Sequence, residues 1–219
     1  MRTLSTLAAL VLLTTTTVVS GQQATMTHDP DKNPKGSGVP AGFMGRVDRA
    51  NAKLQDAKYT KMGNKWEIKT GPAHIIYSPK HTGSGLYSAA ATFELLEAPA
   101  HPEAFGIFIG GQDLDKPTQR YTYFVVRPTG EFLIKTRTGD STKNVVAWKA
   151  DAAVPKVDAS GKATYEMMIH VAADDVHFIL NGKPVAAVPK SQIFTEGVAG
   201  LRVNHNLHVK ASPISISGT

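Results

Sequence analysis

Short runs of β-branched and aromatic residues, separated by turn-forming residues, fill the chain from Lys65 to its C-terminus. Gly, Pro, Asn and Asp separate these runs at close intervals, a pattern typical of strands joined by tight turns. No segment of this region shows a long helical period, so the pattern predicts an all-β fold, an antiparallel two-sheet β-sandwich. The predicted strands are residues 66–70, 73–77, 86–96, 105–110, 121–127, 131–136, 145–149, 164–171, 176–180, 184–188, 200–203 and 207–216.

Three turns carry specific signals. Asn181 and Gly182 separate two apolar runs, and this dipeptide adopts the positive φ angles of a type I′ hairpin. Residues 128–130, Pro-Thr-Gly, join the runs 121–127 and 131–136, which are therefore predicted to be antiparallel neighbours. A third hairpin is predicted at residues 204–206, Asn-His-Asn.

Alternation along the predicted strands sorts their side chains into two faces. In residues 87–95 one set is apolar, and the opposite set includes Ser88, Thr92 and Glu94. His170 and His177 fall on the non-core face of two adjacent strands. The side chains predicted to face the core are Tyr87, Ala89, Ala91, Phe93, Leu95, Tyr165, Met167, Ile169, Val171, Val176, Phe178 and Leu180.

The N-terminus has the pattern of an export signal. Arg2 precedes an apolar run at residues 7–13, and small residues at 19–21 suit cleavage before Gln22. We therefore predict a signal peptide at residues 1–21 and a secreted or periplasmic protein, with an uncleaved membrane anchor as the alternative. The mature chain contains no predicted membrane span.

The remaining chain is divided into a lead-in and one domain. Residues 22–42 are rich in Pro, Gly, Lys and Asp and are predicted to form an irregular lead-in or linker. Residues 43–219 form the predicted β-sandwich domain. Apolar residues spaced by three and four in residues 43–57 favour a short helix that lies on the sandwich. Gly45 weakens that pattern, and a strand-like arm is the alternative. The chain has no cysteine, so packing and hydrogen bonds must hold it together without disulfides.

The formal net charge is +6, and the lysines are scattered through turns and strand ends. A nucleic-acid interface would need clustered basic residues interleaved with aromatic ones, so nucleic acid is not an expected partner. Basic proteins attract polyanions, which favours an acidic polysaccharide or cell-wall polymer.

Four segments resemble the central strands of concanavalin A-like lectin/glucanase sandwiches, also called laminin-G-like. They are residues 121–127 (YTYFVVR), 130–135 (GEFLIK), 176–185 (VHFILNGKPV) and 197–203 (GVAGLRV). The resemblance covers about Lys65 to the C-terminus and implies a concanavalin A-like jelly roll. Within this superfamily the chain is similar to exported 3-keto-disaccharide hydrolase-like domains, but no catalytic residue of that group can be placed on this sequence. Fold resemblance alone does not assign a function.

The sequence does not show the closely spaced pair of acidic residues on one strand that glycoside hydrolysis on this fold requires. A retaining glucanase needs two carboxylates beside one glycosidic bond, whereas Glu131 and Glu166 lie singly on separate predicted strands. Asp113 and Asp115 lie in a loop and are weak candidate calcium ligands, with solvated turn carboxylates beside Lys116 as the simpler interpretation. No cofactor other than calcium is indicated.

Sugar binding uses aromatic platforms with planar hydrogen-bonding groups around them. One strand provides both kinds of group, and a tryptophan and two histidines extend the set. The candidate ligand-binding residues are Arg120, Tyr121, Tyr123, Arg127, Trp148, His170 and His205. We therefore predict an exported, non-catalytic module that binds a carbohydrate or another extracellular polymer. The alternatives are a glycoside or keto-disaccharide hydrolase-like enzyme, and a structural or adhesive surface protein.

Overall fold

Two antiparallel sheets face each other in the computed structural model, which describes residues 29–157 and 160–218. The strands in chain order are β1 (Met44–Val47), β2 (Lys58–Met62), β3 (Lys65–Lys69), β4 (His74–Gly83), β5 (Tyr87–Glu97), β6 (Phe105–Gln112), β7 (Arg120–Arg127), β8 (Glu131–Thr138), β9 (Ser141–Ala150), β10 (Ala163–Val171), β11 (Asp175–Leu180), β12 (Lys183–Pro189), β13 (Gly197–Val203), β14 (His208–Ala211) and β15 (Ser215–Gly218). Two short 3-10 helices span Leu54–Asp56 and Lys190–Gln192.

The seven-stranded sheet has the order β1-β4-β13-β6-β7-β8-β9. The eight-stranded sheet has the order β12-β11-β10-β5-β14-β3-β2, with β15 also paired to β5. Strands β3 to β15 account for every predicted run, so the two-sheet, all-β fold is confirmed. Predicted alternation is confirmed as well: every residue assigned to the core is buried between the sheets.

The helix favoured for residues 43–57 is wrong, and the alternative, a strand-like arm, is correct for residues 44–47. Residues 44–47 form β1, which extends the seven-stranded sheet at the edge of β4. A Cβ at Gly45 would lie 3.0 Å from the Ile75 carbonyl oxygen and 2.9 Å from the Leu54 side chain, so glycine permits this close backbone approach. The pairing of β1 with the edge of β4 therefore outweighs the helical spacing of the apolar residues, which Gly45 already weakens.

The turn at Asn181 and Gly182 is confirmed, because both residues have positive φ angles, 50° and 74°. The β7–β8 hairpin is confirmed too. The predicted hairpin at residues 204–206 is wrong, since β13 lies in one sheet and β14 in the other. Hydrogen bonds from Thr70 Oγ1 to the Asn204 carbonyl and from the Leu207 amide to Thr70 Oγ1 fix this segment as a crossover between the sheets.

From residue 31 onward, the lead-in is hydrogen-bonded to the end of the sandwich. Residues 29–43 contain neither helix nor strand. The Lys32 amide nonetheless bonds Asn206 Oδ1 at 2.8 Å, and the Gly38 amide bonds the Ala57 carbonyl oxygen at 3.1 Å. The predicted signal peptide, residues 1–21, lies outside the described residues. Within the described residues, no helix is long and apolar enough to cross a membrane.

Candidate functional site

The outer face of the seven-stranded sheet, turned away from the other sheet, carries a continuous aromatic cluster. Tyr77 meets Phe108 edge to face, with ring centroids 6.3 Å apart. Phe108 lies 5.2 Å from Tyr121, and Tyr121 lies 5.8 Å from Tyr123. Strands β4 and β6 both pair with β13, and β7 pairs with β6. Residues in register across these strands point to the same face of the sheet, so the four aromatic side chains lie together. A second hydrophobic cluster therefore lies outside the inter-sheet core.

A buried ion-pair network lies over this cluster. Asp48, in the loop after β1, accepts two hydrogen bonds from Arg202, at 3.0 and 2.5 Å. Arg137 approaches the same carboxylate at 3.5 Å. Burial alone would raise the pKa of Asp48, but attraction to Arg202 and Arg137 holds it below its ordinary value. Two guanidinium groups thus share one carboxylate, and that of Arg202 stacks 4.8 Å from the Tyr123 ring centroid.

The same face opens to solvent across β7, β8 and β9. The Arg127 guanidinium lies 4.3 Å from the centre of the Trp148 ring, and Trp148 is 37% exposed. Glu131 accepts hydrogen bonds from Arg127 Nε and from the Thr129 hydroxyl, both at 2.8 Å. The bonds from Thr129 and Arg127 hold the pKa of Glu131 below its ordinary value, so the group is ionised at neutral pH. We call Arg127, Glu131 and Trp148 the exposed platform.

The predicted binding residues on β7 are placed unequally. Tyr121, Tyr123 and Arg127 share the outer face with Trp148, but Tyr121 is only 1% exposed and Tyr123 only 5%. Burial raises the pKa of Tyr123 to about 12. Arg120 has the opposite phase of the strand, and its guanidinium bonds Gln112 and lies 5.4 Å from the Phe194 ring centroid. Of the β7 candidates, Arg127 therefore belongs to the exposed platform, whereas Tyr121 and Tyr123 pack beneath the ion-pair network.

The two predicted histidines lie away from this face. His170 is on the outer face of the eight-stranded sheet, beside His177. His205 is 6% exposed in the crossover between the sheets, where its ring nitrogens lie 3.1 Å from an Asp31 oxygen and 2.8 Å from a Glu103 oxygen. The structure thus does not bring either histidine to the exposed platform.

The acidic loop after β6 pairs with its own lysine. Asp113 Oδ1 lies 2.8 Å from Lys116 Nζ, and the Thr118 hydroxyl bonds the other carboxylate oxygen. The lysine holds the pKa of Asp113 below its ordinary value. Among the described residues, no group of three or more His, Asp or Glu side chains is arranged to hold a metal ion. Calcium binding by Asp113 and Asp115 remains a prediction.

Sequence reasoning missed Asp48, Arg137 and Arg202 as members of this face. Arg202 interrupts an apolar strand, and a charge at such a position was the available signal. Asp48 carries no comparable signal, because the spacing of apolar residues around it favours a helix, in which an acidic residue is not unusual.

No protein-family model and no curated protein matches the sequence. Solved structures do match the fold. A carbohydrate-binding module, CBM66 from Bacillus subtilis, has a TM-score of 0.59 at 12% identity, over 81% of this chain and 96% of that one. A protein of unknown function with a galectin-like fold from Bacillus subtilis gives 0.60 at 13% identity, over 80% and 89%.

A third solved structure is alginate lyase A1-II′, a member of polysaccharide lyase family 7. It matches with a TM-score of 0.50 at 11% identity, over 81% of this chain and 95% of that one. At these identities the likenesses show the fold alone, a two-sheet antiparallel β-sandwich of the concanavalin A-like type.

Proposed function

We propose that this chain is an exported, non-catalytic β-sandwich module that binds carbohydrate on the outer face of its seven-stranded sheet. The observation that carries the proposal is the exposed platform, in which Arg127 stacks on a partly exposed Trp148 and pairs with Glu131. An indole ring packs against the apolar face of a sugar, while a guanidinium and a carboxylate bond its hydroxyl groups. The matches to a carbohydrate-binding module and to an alginate lyase support the carbohydrate-binding part of this proposal.

The charges of the two outer faces favour an acidic glycan. On the seven-stranded sheet, Arg127 pairs with Glu131, Arg202 with Asp48, and Arg137 with both Asp48 and the exposed Asp140. Lys135, the cross-strand partner of Tyr123, adds a further positive charge to this face. Surplus positive charge beside an aromatic platform attracts a polymer that carries carboxylate or sulfate groups.

On the eight-stranded sheet, by contrast, Lys65, Lys210 and His208 lie among three carboxylates, those of Glu67, Glu94 and Glu97. Glu94 pairs with both Lys65 and Lys210, and Glu67 pairs with His208. The polymer is therefore expected to bind the seven-stranded sheet.

The positions of two glutamates support a non-catalytic role. Hydrolysis by this pair would require both carboxylates to lie beside one glycosidic bond, within about 10 Å of each other. Glu131 lies on the outer face of the seven-stranded sheet, and Glu166 on the outer face of the other sheet. The stacked sheets are themselves about 10 Å apart. The whole sandwich therefore separates the two carboxylates.

The chain contains two tryptophans, Trp66 and Trp148, which permits a site-specific test. In a Trp66→Phe variant, Trp148 is the sole indole fluorophore. We expect a bound polyuronate to shift the emission of this variant and to protect it from a soluble quencher. In the reciprocal Trp148→Phe variant, the remaining Trp66 lies in the eight-stranded sheet, and its emission is expected to stay unchanged.

Affinity electrophoresis in gels containing a polyuronate, or in gels containing a neutral glucan, completes the test. Trp148→Ala is expected to weaken retention by about tenfold, from loss of about 1–2 kcal/mol of stacking. Met168→Ala, at an equally exposed apolar residue of the other sheet (36%), serves as the matched control. Equal retention of Trp148→Ala and the wild type would refute binding at this platform, and turnover of the polymer would refute the non-catalytic role.

A further inference from the structure

Two histidines stand side by side on the outer face of the eight-stranded sheet, opposite the exposed platform. His170 on β10 and His177 on β11 are direct cross-strand partners in the antiparallel register. Their rings are half-buried, with centroids 6.0 Å apart and planes inclined by 33°. Neither ring takes part in the aromatic clusters of the core, so packing does not explain the pair.

Ser88 orients one of these rings. Its Oγ lies 3.0 Å from His170 Nδ1, and Ser88 is the cross-strand partner of His170 on β5. When Nδ1–H donates to Ser88 Oγ, the lone pair of Nε2 is left available. Metal-binding histidines are held in this way, by a hydrogen bond from the ring nitrogen that does not ligate. Within the described residues, no hydrogen bond or ion pair engages the His177 ring.

We propose that His170 and His177 bind one divalent transition-metal ion of the Zn²⁺, Ni²⁺ and Cu²⁺ class, each through one ring nitrogen. Imidazole nitrogen suits these ions, whereas Ca²⁺ and Mg²⁺ prefer oxygen. With metal–nitrogen distances of about 2.0–2.1 Å, two rings on one ion have centroids about 5–6 Å apart, a range that includes the 6.0 Å between these two rings. Water or an external ligand completes the coordination.

Isothermal titration with ZnCl₂ of the full chain, prepared without a polyhistidine tag, tests this proposal. We expect one ion to bind this site per chain, and a rise in melting temperature when Zn²⁺ is added. His170→Ala and His177→Ala are each expected to weaken binding by roughly tenfold or more, and Ser88→Ala by a smaller factor, because it removes only the orienting bond. Electron paramagnetic resonance of the Cu²⁺ form is expected to show two nitrogen ligands, and one in either single variant.

The matched control is His208→Ala. His208 lies on the same sheet face but is paired with Glu67 at 2.9 Å and Glu97 at 3.3 Å. We expect this variant to bind Zn²⁺ as the wild type does. Binding that persists in the His170→Ala, His177→Ala double variant, or that disappears in His208→Ala, would overturn the proposal. Circular dichroism and the melting temperature without metal show that each variant is folded.

Discussion

His74 is a histidine whose side chain is completely buried at the start of β4. Its Nδ1–H donates to the Pro72 carbonyl oxygen at 2.8 Å, and its Nε2 accepts from the Tyr59 hydroxyl at 2.5 Å. Both ring nitrogens are therefore satisfied by the neutral imidazole, and burial opposes a charge. Burial lowers the pKa of His74 to about 4, from an ordinary value of 6.5.

This depressed pKa predicts a loss of stability in mild acid. Between pH 6.5 and about 4 the unfolded chain takes up a proton at His74 and the folded chain does not, so the free energy of unfolding falls as the pH falls. The contribution amounts to about 3 kcal/mol across the window. Urea denaturation at a series of pH values checks this. His74→Gln, which cannot titrate, is expected to show a shallower slope; an unchanged slope would contradict the assignment.

At the scale of single elements, the sequence predicts strands and tight hairpins well because their causes are local. Asn181 and Gly182 adopt the positive φ angles that this dipeptide favours, and alternation places Phe178 in the core. The turn at residues 204–206 has similar turn residues but connects two sheets. Turn-forming residues show where the chain reverses direction. They do not show which strands pair afterwards, because the partners of each strand come from distant segments of the chain.

In the β11–β12 hairpin, the backbone strain of the turn and the hydrogen bonds that tether its Asn181 side chain to neighbouring segments can be tested separately. Gly182 has φ 74° with no atom near its would-be Cβ, so Gly182→Ala tests backbone strain alone and is expected to cost about 1–2 kcal/mol. Asn181→Gly keeps the turn but removes bonds from the Glu166 amide (2.8 Å) and to the Ala153 carbonyl oxygen (3.1 Å). We expect it to cost at least as much, since both groups lose a partner. Chemical denaturation measures both; a neutral Asn181→Gly would show that the tether contributes nothing.

For the molecule as a whole, the sequence predicts the two layers and the core but not the site on the outer face. Arg202 and Asp48 lie 154 residues apart, and only the β13–β4–β1 pairing brings them together. Tyr121 and Tyr123 have the composition of sugar-stacking residues, yet the ion-pair network above them makes them part of a second core. Exposure depends on what the tertiary fold lays over a strand, which strand periodicity cannot show.

The difference in charge between the two outer faces predicts how binding of an acidic glycan depends on salt. On the seven-stranded sheet, Lys135 lies beside Tyr123 in the β7–β8 register, on the same outer face as the exposed platform. Arg127→Gln together with Lys135→Gln is expected to weaken polyuronate binding and to flatten its dependence on NaCl, because fewer attractive pairs remain to be screened.

Lys58→Gln together with Lys69→Gln removes the same charge from an exposed cross-strand pair on the eight-stranded sheet. Its affinity and salt dependence are expected to match those of the wild type, since the polymer contacts the other face. Affinity measured at several NaCl concentrations separates the cases. An equal loss in both double variants would mean that the overall charge of +6, rather than one face of the sandwich, attracts the polymer.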